Sequence, residues 1–291
     1  MSTTTHNKAG AGYKVVQRRR WDAELSHLRP WFGAFERFLA PVSPAMIDLA
    51  ALAPGARVLD VASGFGEPAL SAARAVGPTG RVVATDLSPA MLAVAAERSR
   101  ALGLTNVDFL EMDAQEPTLP EAGFDAVLCR LGLMFLPDLG LALERLGSLL
   151  ADGGRFVAAV WGPAQENPWL TGARHTLAEF VELPAPPPGA PDIFDLGRPG
   201  VLRDAFTRAG LVAPGTVSLG LRFSWRSAVE YAEFHRASPL EHMVRDQEPH
   251  LQAEAWRAVA REAERGRGRG RGRGRRRLSF AGQVVVVAGQ R

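Results

Sequence analysis

One run of nine residues, from Val58 to Gly66, constrains the fold of this chain more than any other segment. Its apolar half ends in Asp60, and two glycines then lead into a helix-forming stretch that opens with Pro68. Proline is favoured in the first turn of a helix. Glycines at a strand-to-helix turn let a ligand approach the backbone, and the helix N-terminus presents free N–H groups to it. The run therefore predicts a strand, a ligand-binding turn and a helix.

Two kinds of ligand fit this turn. Gly64-x-Gly66-x-x-Ala69 matches the dinucleotide fingerprint, in which the helix end receives a pyrophosphate. The same residues match the D-x-G-x-G-x-G motif that binds S-adenosylmethionine (SAM), with Ala62 in place of the first glycine. The carboxylate of Asp60 attracts a ligand with an ammonium and a sulfonium, and it repels one with two phosphates. The charge therefore favours SAM.

A second acid lies where both ligands would require it. Asp86 ends a short β-rich run and follows Gly66 by twenty positions. An acid about 20 residues beyond the glycine turn usually accepts hydrogen bonds from ribose hydroxyls. Ser88 and Pro89 then supply the N-cap and the first position of another helix. We therefore predict that Asp86 binds the ribose.

Two further segments complete the pattern. Asp113 follows the third predicted strand, Val107 to Leu110. The stretch from Phe124 to Asp138 resembles the D-x-V-x-x-R-x-G-L-M-F-x-P-D segment of small-molecule methyltransferases. With the glycine motif and Asp86, these segments make residues 45–160 resemble the core of class I SAM-dependent methyltransferases. The likeness is greatest to the ubiquinone/menaquinone-biosynthesis group.

The resemblance implies roles for particular residues. Asp113 would accept from the adenine amino group and the N–H of Ala114 would reach the ring, while Arg130 would contact either the methionine carboxylate or an anionic acceptor. The expected cofactor-binding residues are Asp60, Ala62, Ser63, Gly64, Gly66, Asp86, Leu87, Met91, Asp113, Ala114, Cys129 and Arg130. The residues expected to face the acceptor are Met134, Phe135 and Trp161.

Catalysis is not assigned to any residue by the sequence, because an acceptor that is ionised or amine-like needs no base. His235 and His242 are the candidates if one is needed. No metal site is expected. The N-P-P-[YFW]-like motif of amino-methyltransferases is missing after the fourth strand, and Asn167-Pro168-Trp169 follows the fifth strand instead. This placement argues against N-methylation of adenine.

The resemblance implies an α/β fold: a Rossmann-like, mostly parallel seven-stranded sheet of order 3-2-1-4-5-7-6, with the last strand antiparallel and helices on both faces. We expect a disordered N-terminus over 1–12 and a helical lid over 13–52. The SAM-binding core is expected over 53–225 plus 278–291, with a helical insert that caps the acceptor over 226–264. The arginine–glycine tract of 265–277 is expected to be a disordered loop.

Composition agrees with an enzyme domain. The chain has 291 residues, 46% of them hydrophobic, and no apolar run approaches the roughly 20 residues of a membrane span. The N-terminus lacks the apolar segment of a secretory signal, and the single cysteine suits a reducing cytoplasm. Eight arginines lie in the arginine–glycine tract, and removing them from the net charge of +3 leaves −5. The basic character is therefore local, and we do not expect nucleic acid as a partner, although the tract could contact a polyanion.

These observations predict a cytoplasmic SAM-dependent methyltransferase, monomeric or homodimeric. It would methylate an O, N or C nucleophile of a small, lipophilic or aromatic molecule. An NAD-dependent oxidoreductase is the alternative, and an RNA-associated protein acting through the arginine–glycine tract is a third.

Overall fold

The computed structural model describes residues 3–119, 121–182, 190–265 and 277–291, without the side chains of residues 3–11, 24 and 239. Within these residues seven strands form one sheet of order β3-β2-β1-β4-β5-β7-β6. The strands are β1 (Arg57–Val61), β2 (Arg81–Asp86), β3 (Val107–Glu111), β4 (Phe124–Arg130), β5 (Leu150–Trp161), β6 (Val212–Trp225) and β7 (Leu278–Gln290). β1 to β5 pair in parallel, and β7 runs antiparallel to β5 and β6. The predicted fold class is confirmed.

The central strands are nearly continuous apolar runs because helices cover both faces of a parallel sheet. β1 is buried from Val58 to Val61, and β4 is buried at five of its seven positions. The register pairs Asp60 of β1 with Leu128 of β4, so the two strands end side by side. Residues that follow these strand ends are thereby gathered at one edge of the sheet.

Ten α-helices surround the sheet in the described part of the chain. They are α1 (Thr3–Leu28), α2 (Phe32–Phe38), α3 (Val42–Ala50), α4 (Ala69–Val76), α5 (Pro89–Ala101), α6 (Leu139–Ser148), α7 (Pro168–Ala178), α8 (Val201–Arg208), α9 (Ala228–Arg236) and α10 (Pro249–Arg265). Local sequence sets several of their starts. Ser88 caps α5 by accepting from the Met91 N–H, and Asp138 caps α6 by accepting from the Leu141 N–H.

An aromatic cluster joins the N-terminal helices to the closing hairpin β6–β7 and to α9. Phe38 of α2 lies 5.1 Å, between ring centroids, from both Phe223 and Trp225 of β6. Trp169 of α7 stacks on Phe223 at 4.0 Å, and Phe234 of α9 lies 5.7 Å from Trp225. Aromatic contacts of this kind stabilise a core beyond the area they bury. Helices α2, α7 and α9 and the hairpin β6–β7 therefore share one packed interior.

Some predicted boundaries need correction or stay untested. Residues 1–12 were expected to be disordered, whereas the structure begins α1 at Thr3, in a helix whose later turns are held at the end of β3 by ion pairs of Lys14 and Arg18. β6 and β7 pair with each other over most of their length. The proposed division into domains stays a prediction. Residues 266–276 of the arginine–glycine tract, expected to be a disordered loop, lie outside the described residues.

None of the helices that the structure describes combines the length and apolar character needed to cross a membrane. The same residues contain no group of three or more His, Cys, Asp or Glu side chains placed to hold a metal ion.

Candidate active site at the carboxyl ends of the central strands

The glycine loop, residues 62–66, connects β1 to α4 and adopts left-handed backbone conformations. Ala62, Gly64 and Gly66 have φ values of 55°, 52° and 114°. A Cβ atom at Gly66 would lie 2.8 Å from Cδ1 of Leu70, so the packing of the loop on its own helix requires this glycine. A Cβ atom at Gly64 would meet no described atom within 4 Å, so here the backbone is open to a ligand.

Asp60 lies beneath the loop and is fully buried. Its Oδ2 accepts from the Ala69 N–H at 2.9 Å, which places the carboxyl group at the start of α4. Burial raises the pKa of this carboxyl well above its usual value. Asp60 Oδ1 and Ser63 Oγ are both buried without a hydrogen-bond partner among the described residues. Because unpartnered buried polar atoms are rare, these two fit a ligand that supplies polar groups at the loop, such as the amino-acid end of SAM.

Asp86 ends β2 beside the same loop. Its Oδ2 accepts from the Gly64 N–H and its Oδ1 from the Ser88 N–H, both at 2.9 Å. Burial is the main reason that its pKa is raised. The carboxylate therefore holds the glycine loop in place, a role the sequence did not indicate. Its predicted contact with a ribose stays a prediction.

Asp113 lies at the end of β3 and is bound from two sides. Its Oδ1 accepts from the Gln115 N–H at 2.8 Å, and its Oδ2 lies 2.6 Å from Nζ of Lys14 on α1. One turn along α1, Arg18 pairs with Glu111 at 2.5 Å. The position expected to bind adenine is thus covered by α1.

Other contacts extend this cover across the edge of the sheet. Ser88 donates to Asp22 at 2.5 Å, and the rings of Trp21 and Phe135 meet edge to face at 5.6 Å. Gln17 is 7% exposed, and its Oε1 has no partner within the described chain. Helix α1 therefore covers the side of the candidate site on which Ser88 and Asp113 lie.

The end of β4 packs against the glycine loop. A Cβ atom at Gly132 would lie 2.6 Å from Cβ of Ala62, so the alanine in the loop requires a glycine opposite it. Cys129 is fully buried and burial raises the pKa of its thiol, which makes it a packing residue rather than a nucleophile. Arg130 is partly exposed and donates from Nη1 to Ser43 Oγ of α3 at 3.2 Å.

Aromatic rings pack together on the other side of the glycine loop, toward the end of β5. Phe65 of the glycine loop stacks on Phe32 of α2 at 4.1 Å with the ring planes 10° apart. Phe35 lies 6.5 Å from both Trp161, at the end of β5, and Phe234 of α9. We name these five residues the aromatic wall. Trp161, expected to face the acceptor, belongs to this wall, and that role stays a prediction.

An arginine on α5 links the glycine loop to α2, and no sequence pattern predicted this contact. Arg98 of α5 donates to the Phe65 carbonyl oxygen and pairs with Glu36 of α2, and its guanidinium lies 5.4 Å from the Phe65 ring centroid. Phe65 could have been noticed as the bulky residue inside the glycine motif. Arg98 and Glu36 carry no local signal, because their contact joins helices far apart in the chain.

The remaining predicted residues divide into buried and accessible groups. Leu87 and Phe135 are partly exposed, whereas Met91, Ala114 and Met134 are buried. Met134 is fully buried, so its predicted contact with an acceptor would require neighbouring side chains to move.

The two histidines lie apart from the glycine loop in different surroundings. His235 is fully buried, its ring stacked 5.8 Å from that of Trp169, and burial lowers its pKa to about 3. His242 lies in the short 3-10 helix after α9 and interacts electrostatically with Glu241. A base role for either stays a prediction, and the enclosure of His235 favours packing. Asn167 is also structural, since it donates to the carbonyl oxygen of Gly162 at 3.1 Å and accepts from the N–H of Gln283 at 3.1 Å.

A cavity of about 520 Å³ lies at the opposite edge of the sheet. Residues 50–56 and 152–155 line it, at the amino ends of β1 and β5. Ligands in open α/β sheets bind outside the carboxyl ends of the strands. This cavity is therefore not the candidate active site.

Comparisons with known proteins place the same segment in one family. Residues 58–154, which include the glycine loop, Asp86, Asp113 and Arg130, match the family model of the methyltransferase domain. The aklanonic acid methyltransferase DauC of Streptomyces sp. strain C5 is 36% identical over 119 residues, which cover 41% of this chain and 54% of that protein. A ubiquinone/menaquinone biosynthesis C-methyltransferase of Teredinibacter turnerae is 34% identical over 139 residues, covering 47% and 55%.

The chain thus spans about half the length of these two relatives. Among solved structures, the YcgJ protein of Bacillus subtilis aligns with a TM-score of 0.56 at 19% identity, over 86% of this chain and 97% of that one. The structural match establishes a shared fold that extends well beyond residues 58–154.

Proposed function

Residues 58–154 form a class I SAM-dependent methyltransferase domain, and from this premise we propose that the protein transfers the methyl group of SAM to a small organic molecule. The single observation that carries the proposal is the glycine loop. Its open Gly64 and the unpartnered Oδ1 of Asp60 lie together at the switch point between β1 and β4. Ligands bind at such a point in open α/β sheets.

The charges around the loop suit this cofactor. Asp60 is the last residue but one of β1, Asp86 ends β2 and Asp113 follows β3, so three carboxyl groups gather at one edge of the sheet. When bound, SAM supplies a methyl group on a cationic sulfonium that a nucleophile can displace. In the proposal Asp60 and the loop receive the amino-acid end, Asp86 the ribose and Asp113 the adenine.

The acceptor side follows from the aromatic wall. Its five rings come from the glycine loop, α2, β5 and α9, and they suit a planar, lipophilic or aromatic molecule. The protein's part in the reaction is to hold the acceptor atom about 3–3.5 Å from the methyl carbon and to exclude water. The names of the two relatives, a methyltransferase of aklanonic acid and one of ubiquinone/menaquinone biosynthesis, agree with a small organic acceptor.

Neither alternative has support in the structure or the comparisons. For an NAD-dependent oxidoreductase, the buried carboxyl group of Asp60 would oppose a pyrophosphate at the loop, whereas Asp86 fits the ribose of either cofactor. An RNA-associated role depends on the arginine–glycine tract, most of which lies outside the described residues.

Ligand-dependent thermal stability tests the proposal. SAM and its product S-adenosylhomocysteine should raise the melting temperature, because a ligand that binds the native state stabilises it, whereas NAD and NADH should not. Asp86→Asn should weaken S-adenosylhomocysteine binding at least about tenfold, since it removes the charge that accepts hydrogen bonds. Asp108→Asn is the matched control, because Asp108 is an exposed residue on β3 that pairs with Arg81. Stabilisation by NAD and not by SAM, or equal effects of the two variants, would contradict the proposal.

A further inference from the structure

The guanidinium of Arg130 lies beside both halves of the candidate site. We propose that it selects acceptors whose nucleophilic oxygen is already ionised, as in a carboxylate, phenolate or enolate attached to a planar aromatic ring. The inference rests on the proposed methyl transfer and names the chemistry of its acceptor.

The position of Arg130 is fixed by the sheet. It is the last residue of β4 and pairs with Ala159 of β5, while Asp60 pairs with Leu128 two residues earlier. Arg130 therefore stands just beyond the end of β1, next to the glycine loop. A side chain here can reach a molecule lying against the methyl group.

Most N–H groups of the Arg130 guanidinium have no partner among the described residues. Its one hydrogen bond among the described residues goes to Ser43, and no carboxylate of the described chain lies within ion-pair distance. Desolvation lowers the pKa of Arg130, and the more distant carboxylates of Glu67, Asp60 and Glu36 oppose that effect. Glu36 is itself paired with Arg98. An arginine presents five N–H groups in a planar fork, which matches the geometry of a carboxylate.

The surroundings place this cation on the acceptor side. Ser43 belongs to α3 and Glu36 to α2, the same helix that supplies Phe32 and Phe35 to the aromatic wall. The nucleoside side, by contrast, is covered by α1 through Lys14 and Asp113. Arg130 is thus bonded to α3 and lies within the electrostatic reach of Glu36 on α2, as well as of Glu67 and Asp60 at the glycine loop.

An acceptor whose oxygen is already ionised can also be methylated without a general base. The oxygen forms its bond to the methyl carbon with a lone pair, the carbon–sulfur bond breaks, and its electron pair neutralises the sulfonium. The products are a methyl ester or ether and S-adenosylhomocysteine, and no proton has to be removed. This agrees with the enclosure of His235, the buried candidate base, by packed side chains away from the glycine loop.

Calorimetry with matched acids and amides tests the inference. The probes are 2-naphthoate, anthracene-2-carboxylate and the two corresponding amides, each titrated into the full chain saturated with S-adenosylhomocysteine. We expect at least one acid to bind about tenfold more tightly than its amide, because a charge-assisted, two-point contact is available only to the acid. Arg130→Met should abolish this preference and change the affinity for S-adenosylhomocysteine less than about twofold.

Controls separate the charge from the fold. Arg37→Met removes a guanidinium from the exposed face of α2 and should keep the preference for acids. Arg130→Lys keeps the positive charge without the planar fork, and it should retain part of the preference for acids over amides. The wild-type comparison of acid with amide stands even where a variant fails to fold.

Three results would overturn the inference. The first is equal binding of acids and amides by the wild type, and the second is an unchanged preference for acids in Arg130→Met. The third is a loss of affinity in Arg130→Met for S-adenosylhomocysteine but not for 5′-methylthioadenosine, which lacks the amino-acid part. That third pattern would assign Arg130 to the methionine carboxylate. Failure of the wild type to bind S-adenosylhomocysteine at all would refute the proposed function as well.

Discussion

At the scale of single residues, the burial of His235 should lower the free energy of unfolding as the pH falls. Its folded pKa of about 3 lies below the value near 6.5 of an unfolded histidine, so only the unfolded chain takes up this proton between those values. The contribution of His235 to the free energy of unfolding is therefore at its full value above about pH 6.5 and decreases as the pH falls toward 3. His235→Leu should reduce the slope of stability against pH by up to about 1.4 kcal/mol per pH unit, measured by urea denaturation from pH 7 to 4.

The matched control for that measurement is His175→Leu, which changes an exposed histidine on α7. It should leave the slope close to that of the wild type. Equal slopes in the wild type and in His235→Leu would show that His235 is protonated in the folded protein.

At the scale of elements, α1 covers Asp113 through the ion pair of Lys14 with that carboxylate. If Asp113 binds adenine, the ammonium of Lys14 competes for the same carboxylate. Lys14→Met should then strengthen S-adenosylhomocysteine binding by up to about fivefold, because a partly exposed ion pair contributes about 0–1 kcal/mol. The gain, measured by calorimetry, should shrink at high salt, where the wild-type pair is screened.

Arg18→Met provides the comparison on the same helix, because Arg18 pairs with Glu111, which is not an expected cofactor residue. It should change the affinity little. Weaker binding in Lys14→Met would instead mean that Lys14 contributes to the bound state.

At the scale of the whole molecule, the aromatic cluster should make the lid and the closing hairpin unfold together. Phe38 is 6% exposed and touches rings of β6 and α9. Phe38→Ala should cost about 3–5 kcal/mol of unfolding free energy, because it opens a cavity between these elements. Val229→Ala, at a position 60% exposed on α9, should cost less than about 0.5 kcal/mol.

Denaturation followed by tryptophan fluorescence and by circular dichroism measures this effect. We expect one coincident transition in Phe38→Ala, shifted to lower denaturant. Two separate transitions in the wild type would show that the lid is an independent unit.

The sequence by itself determined the features that are written locally. The strand before Asp60, the glycine loop and the caps at Ser88 and Asp138 depend on neighbouring residues, so their patterns could be recognised. The order of the strands followed from the resemblance that these motifs carry, and the position of Asp86 at a strand end was predicted from its spacing.

Only the tertiary structure decided which partners those residues have. Asp113 is bound by Lys14, Asp86 supports the glycine loop, and Arg98 links Phe65 to a helix of the lid. Such contacts join segments far apart in the chain, and they depend on how helices pack over the sheet, which leaves no periodic trace in the sequence. For the same reason the ring contacts of the aromatic wall became visible only when α2, β5 and α9 were brought together.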